Sequence, residues 1–464
     1  MSSVNENSSA QNNDLKRNLT SRHIQLIAIS GAIGTGLFLG AGKTINLAGP
    51  SIIFVYMIIG FVLFFVMRAM GEILLSNLNY KSFSDFAADL LGDWAGFFTG
   101  WTYWFCWVVT GIADVIAIAK YTQVWFPELA SWIPMLLTIL LLFYCNLLTV
   151  KMFGEAEFWF SMIKIVTILG LIIVGTLLII TAYHSEQTNA TASLSNLWQH
   201  GGMFPKGIMG FFAGFQIAIF AFVGIELIGT TAAETRDPTK NLPRAINTVP
   251  FRIIFFYVFA LIVIMSVTPW NLISPKMSPF VELFTLIGLP AAAGLINFVV
   301  LTSAASSANS GIYSTSRMLF GLAKKNDAPT AFSKLSRRFV PANGLHFSCI
   351  CLLGGVVLIY LIPDVITAFT IVTTISAILF MFVWSIILLS YIAFRKKRPH
   401  LHQQSIFKMP GGVIMAYICL AFFAFMIVLL TFETDTRNAL IATPLWFIIL
   451  GLGYMARRKI GNNN

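Results

Sequence analysis

Gly31-Ala32-Ile33-Gly34-Thr35-Gly36 and Phe220-Ala221-Phe222-Val223-Gly224-Ile225-Glu226 are the two stretches whose reading decides the fold. Each lies near the middle of a long apolar run, and each places glycine where a continuous helix would be weakened. A glycine costs ~1 kcal/mol in a helix relative to alanine, so glycines clustered at mid-run need a compensating role. The second stretch adds a carboxylate, Glu226, at the same depth. The first stretch belongs to the first apolar run and the second to the sixth, so the breaks hold corresponding positions in two halves of five. Such paired interruptions point to an inverted repeat built around a midplane site. Close packing is the other reading of the first motif, because Gly36 and Gly40 form a G-x-x-x-G that lets two helices approach. Alone, the first motif fits either reading; the pair favours a site.

Outward from these motifs, the apolar runs fall at about residues 24–45, 50–75, 95–125, 133–151, 158–182 and 207–233, then 247–269, 282–320, 345–363, 366–394, 412–431 and 440–456. The chain has 464 residues, 57% hydrophobic and 11% charged, against roughly 25% charged in soluble domains. A span needs ~20 apolar residues, so twelve spans leave no room for a sizeable soluble domain. Helices are expected because the hydrocarbon core leaves open strand edges unsatisfied. The pattern therefore predicts an all-α integral membrane protein of twelve transmembrane helices. It divides into a tail at 1–20, helices 1–5 at 21–182, helices 6–10 at 207–394, two peripheral helices at 412–456 and a tail at 457–464.

Basic residues mark the cytoplasmic face. Placing both termini inside collects 24 of the 30 lysines and arginines there, among them Arg22, Arg68, Lys240, Arg317, Lys325 and Arg395 to Arg398. Four fall outside (Lys43, Lys206, Lys276, Arg437), and Lys120 and Lys164 lie within spans. The run Arg395 to Arg398 reads as a topology signal. The net charge of +11 thus has a membrane explanation rather than a nucleic-acid one. Residues 37–44 only approximate a phosphate loop, because Leu37 stands where its first glycine is required. Five cysteines (Cys106, Cys145, Cys349, Cys351, Cys419) fall in apolar runs and read as buried and reduced. No cofactor or metal is implied, and no Ser/His/Asp set suggests an enzyme. A channel, a facilitator or an ion-coupled carrier remains, and nothing in the pattern sets an oligomeric state.

Free amides at a half-helix N-terminus suit a carboxylate, and carbonyls of unwound turns suit an ammonium. A ligand carrying both on one carbon would be held without a buried side-chain ion.

The two motifs also carry a resemblance. Asn18-Leu-Thr-Ser-Arg22, Gly31-Ala-Ile-Gly-Thr-Gly36, Ala48-Gly-Pro50, Arg68-Ala-Met-Gly-Glu72, Phe222-Val-Gly-Ile-Glu226, Ala233-Glu-Thr-Arg-Asp-Pro238, Leu242-Pro-Arg-Ala-Ile-Asn247, Ser307-Ala-Asn309 and Ser314-Thr-Ser-Arg-Met318 resemble the amino-acid permeases of the amino acid–polyamine–organocation superfamily. Within it, Tyr80-Lys-Ser-Phe-Ser-Asp-Phe86, Gly100-Trp-Thr-Tyr-Trp-Phe-Cys-Trp107 and Pro399-His-Leu-His402 are similar to the Gram-negative proton symporters of glycine, D-alanine and D-serine. The resemblance implies a five-plus-five inverted repeat with discontinuous helices 1 and 6, in the bacterial inner membrane. It implies a small neutral amino acid and a proton as partners. Exchange, or sensing without transport, is the alternative.

The same resemblance places the substrate carboxylate at Thr35 and the amides around Gly34 and Gly36. The ammonium would meet the carbonyls of Ala32, Phe220 and Val223, with Ala221 nearby. Cys106, Trp107, Gly111 and Asn309 would line the pocket, with Trp107 and Phe220 crowding any side chain larger than a methyl or hydroxymethyl. Lys164 would stand where sodium-coupled relatives hold their ion, beside the Gly31 carbonyls and Ser306 or Ser307, and would exchange a proton.

Ionisable groups inside a span are functional candidates by default. Lys164 can alternatively snorkel to the interface. Glu226 reads equally as a coupling or gating group and as an acceptor for helix ends. Asp114 fits an outer vestibule, or a pairing with Lys120 or another span. Arg68 and Glu72, four apart, read as a helix-surface ion pair.

Overall fold

Inside a bilayer a chain can satisfy its backbone within one helix, and the regular structure here is almost entirely helical. The computed structural model describes residues 33–80, 82–147, 150–230 and 237–461. Gly31, Ala32 and most of the Ala233–Pro238 motif lie outside the described residues.

In chain order the helices are α1 Thr35–Phe38, α2 Gly40–Ala48, α3 Ile52–Ser76, α4 Phe83–Leu91, α5 Asp93–Thr122, α6 Trp132–Asn146 and α7 Val150–Ile180. After a ribbon of two two-residue strands (His184–Ser185 with Ala190–Thr191) and a single helical turn at Asn196–Gln199 come α8 Gly207–Ala218, α9 Leu227–Thr230 and α10 Pro238–Asn247. The stretch Val249–Val267 is helical throughout, with a π-helical middle at Ile253–Phe259. Then follow α11 Pro279–Leu286, α12 Pro290–Lys324, α13 Ala342–Leu352, α14 Gly354–Leu361, α15 Val365–Lys397, α16 Pro399–Gln404, α17 Gly412–Leu429, α18 Thr434–Ala442 and α19 Pro444–Gly461. Among the described residues ten helices are long and apolar enough to cross a membrane, and α6 is a shorter apolar one.

The apolar run at 282–320 was expected as one span and is two helices. Gly288 takes φ 81°, which a right-handed helix cannot continue through, and Pro290 opens α12, where its missing N–H costs nothing. The short α11 lies over the half-helix α1–α2: Phe280 meets Phe38 edge-on at 4.8 Å. A Cβ on Gly42 would stand 2.6 Å from the Met277 carbonyl.

Helices α5 and α12 form the centre of the bundle. Their backbones approach closely because small residues face large ones: a Cβ on Gly311 would stand 2.6 Å from the Trp107 ring, and one on Gly100 2.6 Å from Leu322. Asn297 donates its amide to the Tyr121 carbonyl at 2.9 Å, locking the far end of the pair. α15 joins them through Thr110 and Ser376, whose hydroxyls are 2.7 Å apart. At the edge, the membrane-facing surfaces of α17 and α19 are largely exposed.

Arg68 and Glu72 do not form the expected surface pair. Arg68 donates to Asn247 Oδ1 at 2.8 Å and to the Lys408 carbonyl, with its guanidinium 3.8 Å above the Phe407 ring. Glu72 is wholly buried and accepts from the Met409 amide at 2.6 Å and from His402 Nδ1. The 399–410 segment brings orphan backbone groups to this end of α3, and both side chains serve that segment instead of each other. All five cysteines are free, but Cys145 and Cys351 are only partly buried, contrary to expectation, because α6 and α13 present them near the bundle surface.

Candidate functional site

Both glycine motifs interrupt their helices. Gly34 is extended (φ −130°, ψ −164°), and the helix begins only at Thr35. The Gly34 carbonyl accepts the Leu37 and Phe38 amides, both at 3.2 Å. On the other side, the Ile33 carbonyl accepts the Ser303 hydroxyl at 3.2 Å, which ties this backbone to α12. In the second motif α8 tightens into a 3₁₀ turn at Ile219–Phe222, Val223 is extended (ψ 136°), and Gly224 takes φ 102°. Only glycine adopts that last conformation without strain.

The two breaks touch. A Cβ on Gly36 would stand 2.6 Å from Ala221 Cα, 2.7 Å from its nitrogen and 2.9 Å from the Phe220 carbonyl carbon. The close-packing reading of Gly36 is therefore met by the geometry, and its partner is the second break itself. Gly34 is less confined: its missing Cβ would face Ser307 Oγ at 3.6 Å. The half-helix continues through α2 alongside α8, where a Cβ on Gly214 would stand 2.8 Å from Ala48 Cβ.

Side chains around the breaks are buried and tied together. Thr35 donates its hydroxyl to Asp114 Oδ1 at 2.7 Å. Glu226 accepts from the Gly224 amide at 3.2 Å and from the Tyr103 hydroxyl at 3.4 Å, so it holds the strained turn in place. The Ala221 carbonyl accepts the Tyr257 hydroxyl at 2.7 Å. Phe220 meets Phe369 edge-on at 6.1 Å. Trp107 lies against Gly311 and meets Phe380 edge-on at 5.7 Å, and Cys106, one residue earlier, is fully buried.

A second cluster lies beside the first break. Glu157 on α7 is wholly buried, and its two oxygens accept from Ser306 Oγ at 2.9 Å and Asn309 Nδ2 at 2.8 Å. Asn309 is itself oriented by Asn146, which donates to its Oδ1 at 2.7 Å. Lys164, 1% exposed, is in electrostatic range of Glu157 and Asp114. It does not snorkel.

The expected residues thus separate into groups. Thr35, Gly36, Phe220 and Ala221 come together at the touching breaks; Val223 and Glu226 follow on the second one. Ser306, Asn309 and Lys164 share the neighbouring polar cluster. Gly111 is not with them: its missing Cβ points at Leu352 on α13, 2.7 Å away. Asp114 neither faces an outer vestibule nor pairs with Lys120; it is fully buried and takes the remaining alternative, a partner on another span, Thr35. Among the described residues no group of His, Cys, Asp or Glu could hold a metal ion.

The two broken helix ends thus form one buried contact, and comparison with known proteins gives the family of the chain. The family model described as "Amino acid permease" matches residues 23–462. The chain belongs to the amino acid permease family. It is 71% identical, over 95% of its length and 94% of the relative's, to the "D-serine/D-alanine/glycine transporter" of Escherichia coli K12. It is 52% identical to the "Amino-acid permease AapA" of Bacillus subtilis, over 97% of each chain. To the "Probable threonine/serine transporter YbxG" of the same species it is 43% identical, over 96% of this chain and 95% of the relative. The permease is a multi-pass membrane transporter of amino acids, not an enzyme.

Two residues around the breaks, Glu157 and Tyr103, are not singled out by the sequence, and a third, Asp114, is singled out without its partner. Glu157 carried a usable signal: it precedes Lys164 by seven residues, two helical turns, which places both on one face. Asp114 was visible as an intramembrane charge, but its partner Thr35 is 79 residues away. Tyr103, which bridges Glu226 and Ser314 (3.3 Å), had no distinguishing pattern in a chain with 12 tyrosines.

Proposed function

We propose that this permease carries glycine, D-alanine and D-serine inward across the bacterial inner membrane, coupled to protons. The observation that carries the reading is the contact of the two breaks at Gly36 and Ala221, flanked by buried Lys164, Glu157 and Asp114. The name of the 71% identical E. coli relative supports the substrates. In this reading the chain has twelve spans in a five-plus-five inverted repeat, with spans 1 and 6 discontinuous and both termini cytoplasmic. α17 and α19 are peripheral.

The substrate carboxylate meets the Thr35 hydroxyl and the amides at Gly34 to Gly36, at the positive end of the half-helix. The ammonium meets carbonyls of the opposite break, at Phe220 and Val223, and of Ala32, which lies outside the described residues. Phe220 and Trp107 bound the side-chain space, with Cys106 and Asn309 completing it, so a methyl or hydroxymethyl fits and an aromatic ring does not. Lys164, with Ser306 and Glu157, forms the charged element of the proton step, and Glu226 gates span 6 by holding its turn. Spans 1 and 6 rock against α5 and α12.

Proteoliposomes with an inward proton gradient and no internal amino acid test this. Accumulation of labelled glycine and D-alanine, abolished by a protonophore, is the expected outcome. Uptake only into preloaded vesicles means exchange, and binding without uptake means a sensor; either sinks the symport reading. Thr35→Ala is expected to weaken glycine binding at least tenfold, since it deletes a charge-assisted hydrogen bond of ~1.5–3 kcal/mol. Unchanged affinity would remove the carboxylate from Thr35.

A further inference from the structure

Among the described residues, Asp114 is the one carboxylate at the breaks whose hydrogen bonding is half complete. It is fully buried in the last third of α5, and its Oδ1 accepts the Thr35 hydroxyl at 2.7 Å. Its Oδ2 is also buried and has no hydrogen-bond partner among the described residues. The groups facing Asp114 from neighbouring helices are Thr35 on the half-helix, Ser307 on α12 and Lys164 on α7; Tyr121 lies near it on its own helix. Lys164 in turn faces Glu157. Among the described residues this cluster has one cation and two carboxylates. An uncompensated buried charge is costly, and one added proton removes the surplus.

The hydrogen bonds say which carboxylate takes it. Both oxygens of Glu157 receive donors, Ser306 and Asn309, and donors to a carboxylate favour its charged form. Among the described residues Asp114 accepts a hydrogen bond on one oxygen, from Thr35; the Ser307 hydroxyl is a neighbour of the carboxylate, but no hydrogen bond reaches Oδ2. The donor it does have is a contested one. A threonine hydroxyl has a single hydrogen to give, and a substrate carboxylate at Thr35 needs that same hydrogen. Two anions cannot share it.

We propose that the transported proton is held on Oδ2 of Asp114, and that its arrival releases the Thr35 hydroxyl from Asp114 to the substrate carboxylate. This deepens the substrate-site reading above and rests on it. The balance is simple: an O–H bond forms at Oδ2 with a proton from one aqueous side, breaks toward the other side after transport, and no other covalent bond changes. Neutralising the carboxyl turns a charge-assisted hydrogen bond from Thr35 into a neutral one of roughly half the strength, so substrate then outcompetes Asp114. Proton and substrate therefore promote each other's binding by the same factor, as linkage requires. Lys164 acts as a positioning charge: it compensates one carboxylate and leaves the other to titrate.

The test is Asp114→Asn in proteoliposomes, beside wild type, Lys164→Gln and Thr35→Ala. For one proton per glycine, wild type accumulates up to about tenfold per pH unit of imposed gradient. The asparagine variant is expected to exchange labelled glycine across the membrane but to accumulate it about onefold, and to take up no proton when glycine is added in weak buffer. Accumulation near the wild-type ratio in Asp114→Asn overturns the proposal. So does proton uptake that persists in Asp114→Asn and is lost in Lys164→Gln.

If the variant does not fold, the wild-type protein still decides by infrared difference spectroscopy. A protonated-carboxyl band that appears with glycine and shifts in protein labelled with ¹³C-aspartate supports the assignment. A band that follows ¹³C-glutamate, or no band, overturns it. Thr35→Ala with unchanged glycine affinity refutes the substrate placement whatever Asp114 does. Weakened affinity in Thr35→Ala, with accumulation intact in Asp114→Asn, refutes the proton assignment alone.

Discussion

Gly36 has no room for a side chain, and the atoms that deny it are backbone atoms of Phe220 and Ala221. Gly36→Ala must push two helices apart. Overpacking of this kind costs ~1–3 kcal/mol, and the upper end is expected because no flexible side chain can yield. Thermal unfolding in detergent should show the loss, and glycine uptake should fall at least tenfold. Gly34→Ala is the control for stability, since its nearest neighbour is Ser307 Oγ at ordinary contact distance and its φ of −130° suits any residue. A variant Gly36→Ala as stable as wild type would mean the breaks separate more freely than this contact allows. At this scale the sequence was informative about residue identity and silent about partners. Glycine at mid-run, a threonine among glycines and a lysine in a span were all legible. That Thr35 bonds Asp114, or that Gly111 faces Leu352, depends on which helices are neighbours.

Helix ends show the same division. Asp364 caps α15, accepting the Thr367 amide at 2.8 Å, and those hydrogen bonds hold its carboxyl below the usual carboxylate range. A group whose folded value is depressed stabilises the protein above its unfolded value, and the contribution is lost as pH falls through the folded one. Asp364→Ala should therefore cost ~0.5–1 kcal/mol at pH 7, the low end of cap energies because the residue is exposed. The difference from wild type should vanish below the carboxylate range. Equal melting temperatures at pH 7 would rule the cap out as a stabiliser. The Gly288-Leu-Pro290 divide between α11 and α12 was present in the chain as plain punctuation, and only the apolar continuity across it suggested a single span. The Arg68 and Glu72 partners were not legible. Spacing of four residues permits an ion pair, but the competing acceptors on Asn247 and Lys408, and the donors from Met409 and His402, arrive from residues 179 to 340 positions further along the chain.

Across the whole molecule, the distribution of basic residues makes a prediction about sidedness. A cysteine placed at the exposed Glu186, in the segment after α7, should react with an impermeant maleimide applied to intact cells. One at Arg337, between α12 and α13, should react only after the membrane is opened. The reverse pattern would invert the topology proposed above. Length, apolar periodicity and charge bias determined by themselves that this chain is a helical membrane protein, roughly where its helices run and where two of them break. Those properties are local: each depends on the cost of a residue in hydrocarbon or in a helix, which neighbours in sequence decide. Tertiary structure alone decided that the two breaks touch at Gly36 and Ala221, that Glu157 and Lys164 share a cluster with Asn309, and that Asp114 meets Thr35. Such contacts form only when the bundle closes, because buried polar groups must then find partners among whatever the packing brings within 3 Å or so, and packing is a property of all the helices together.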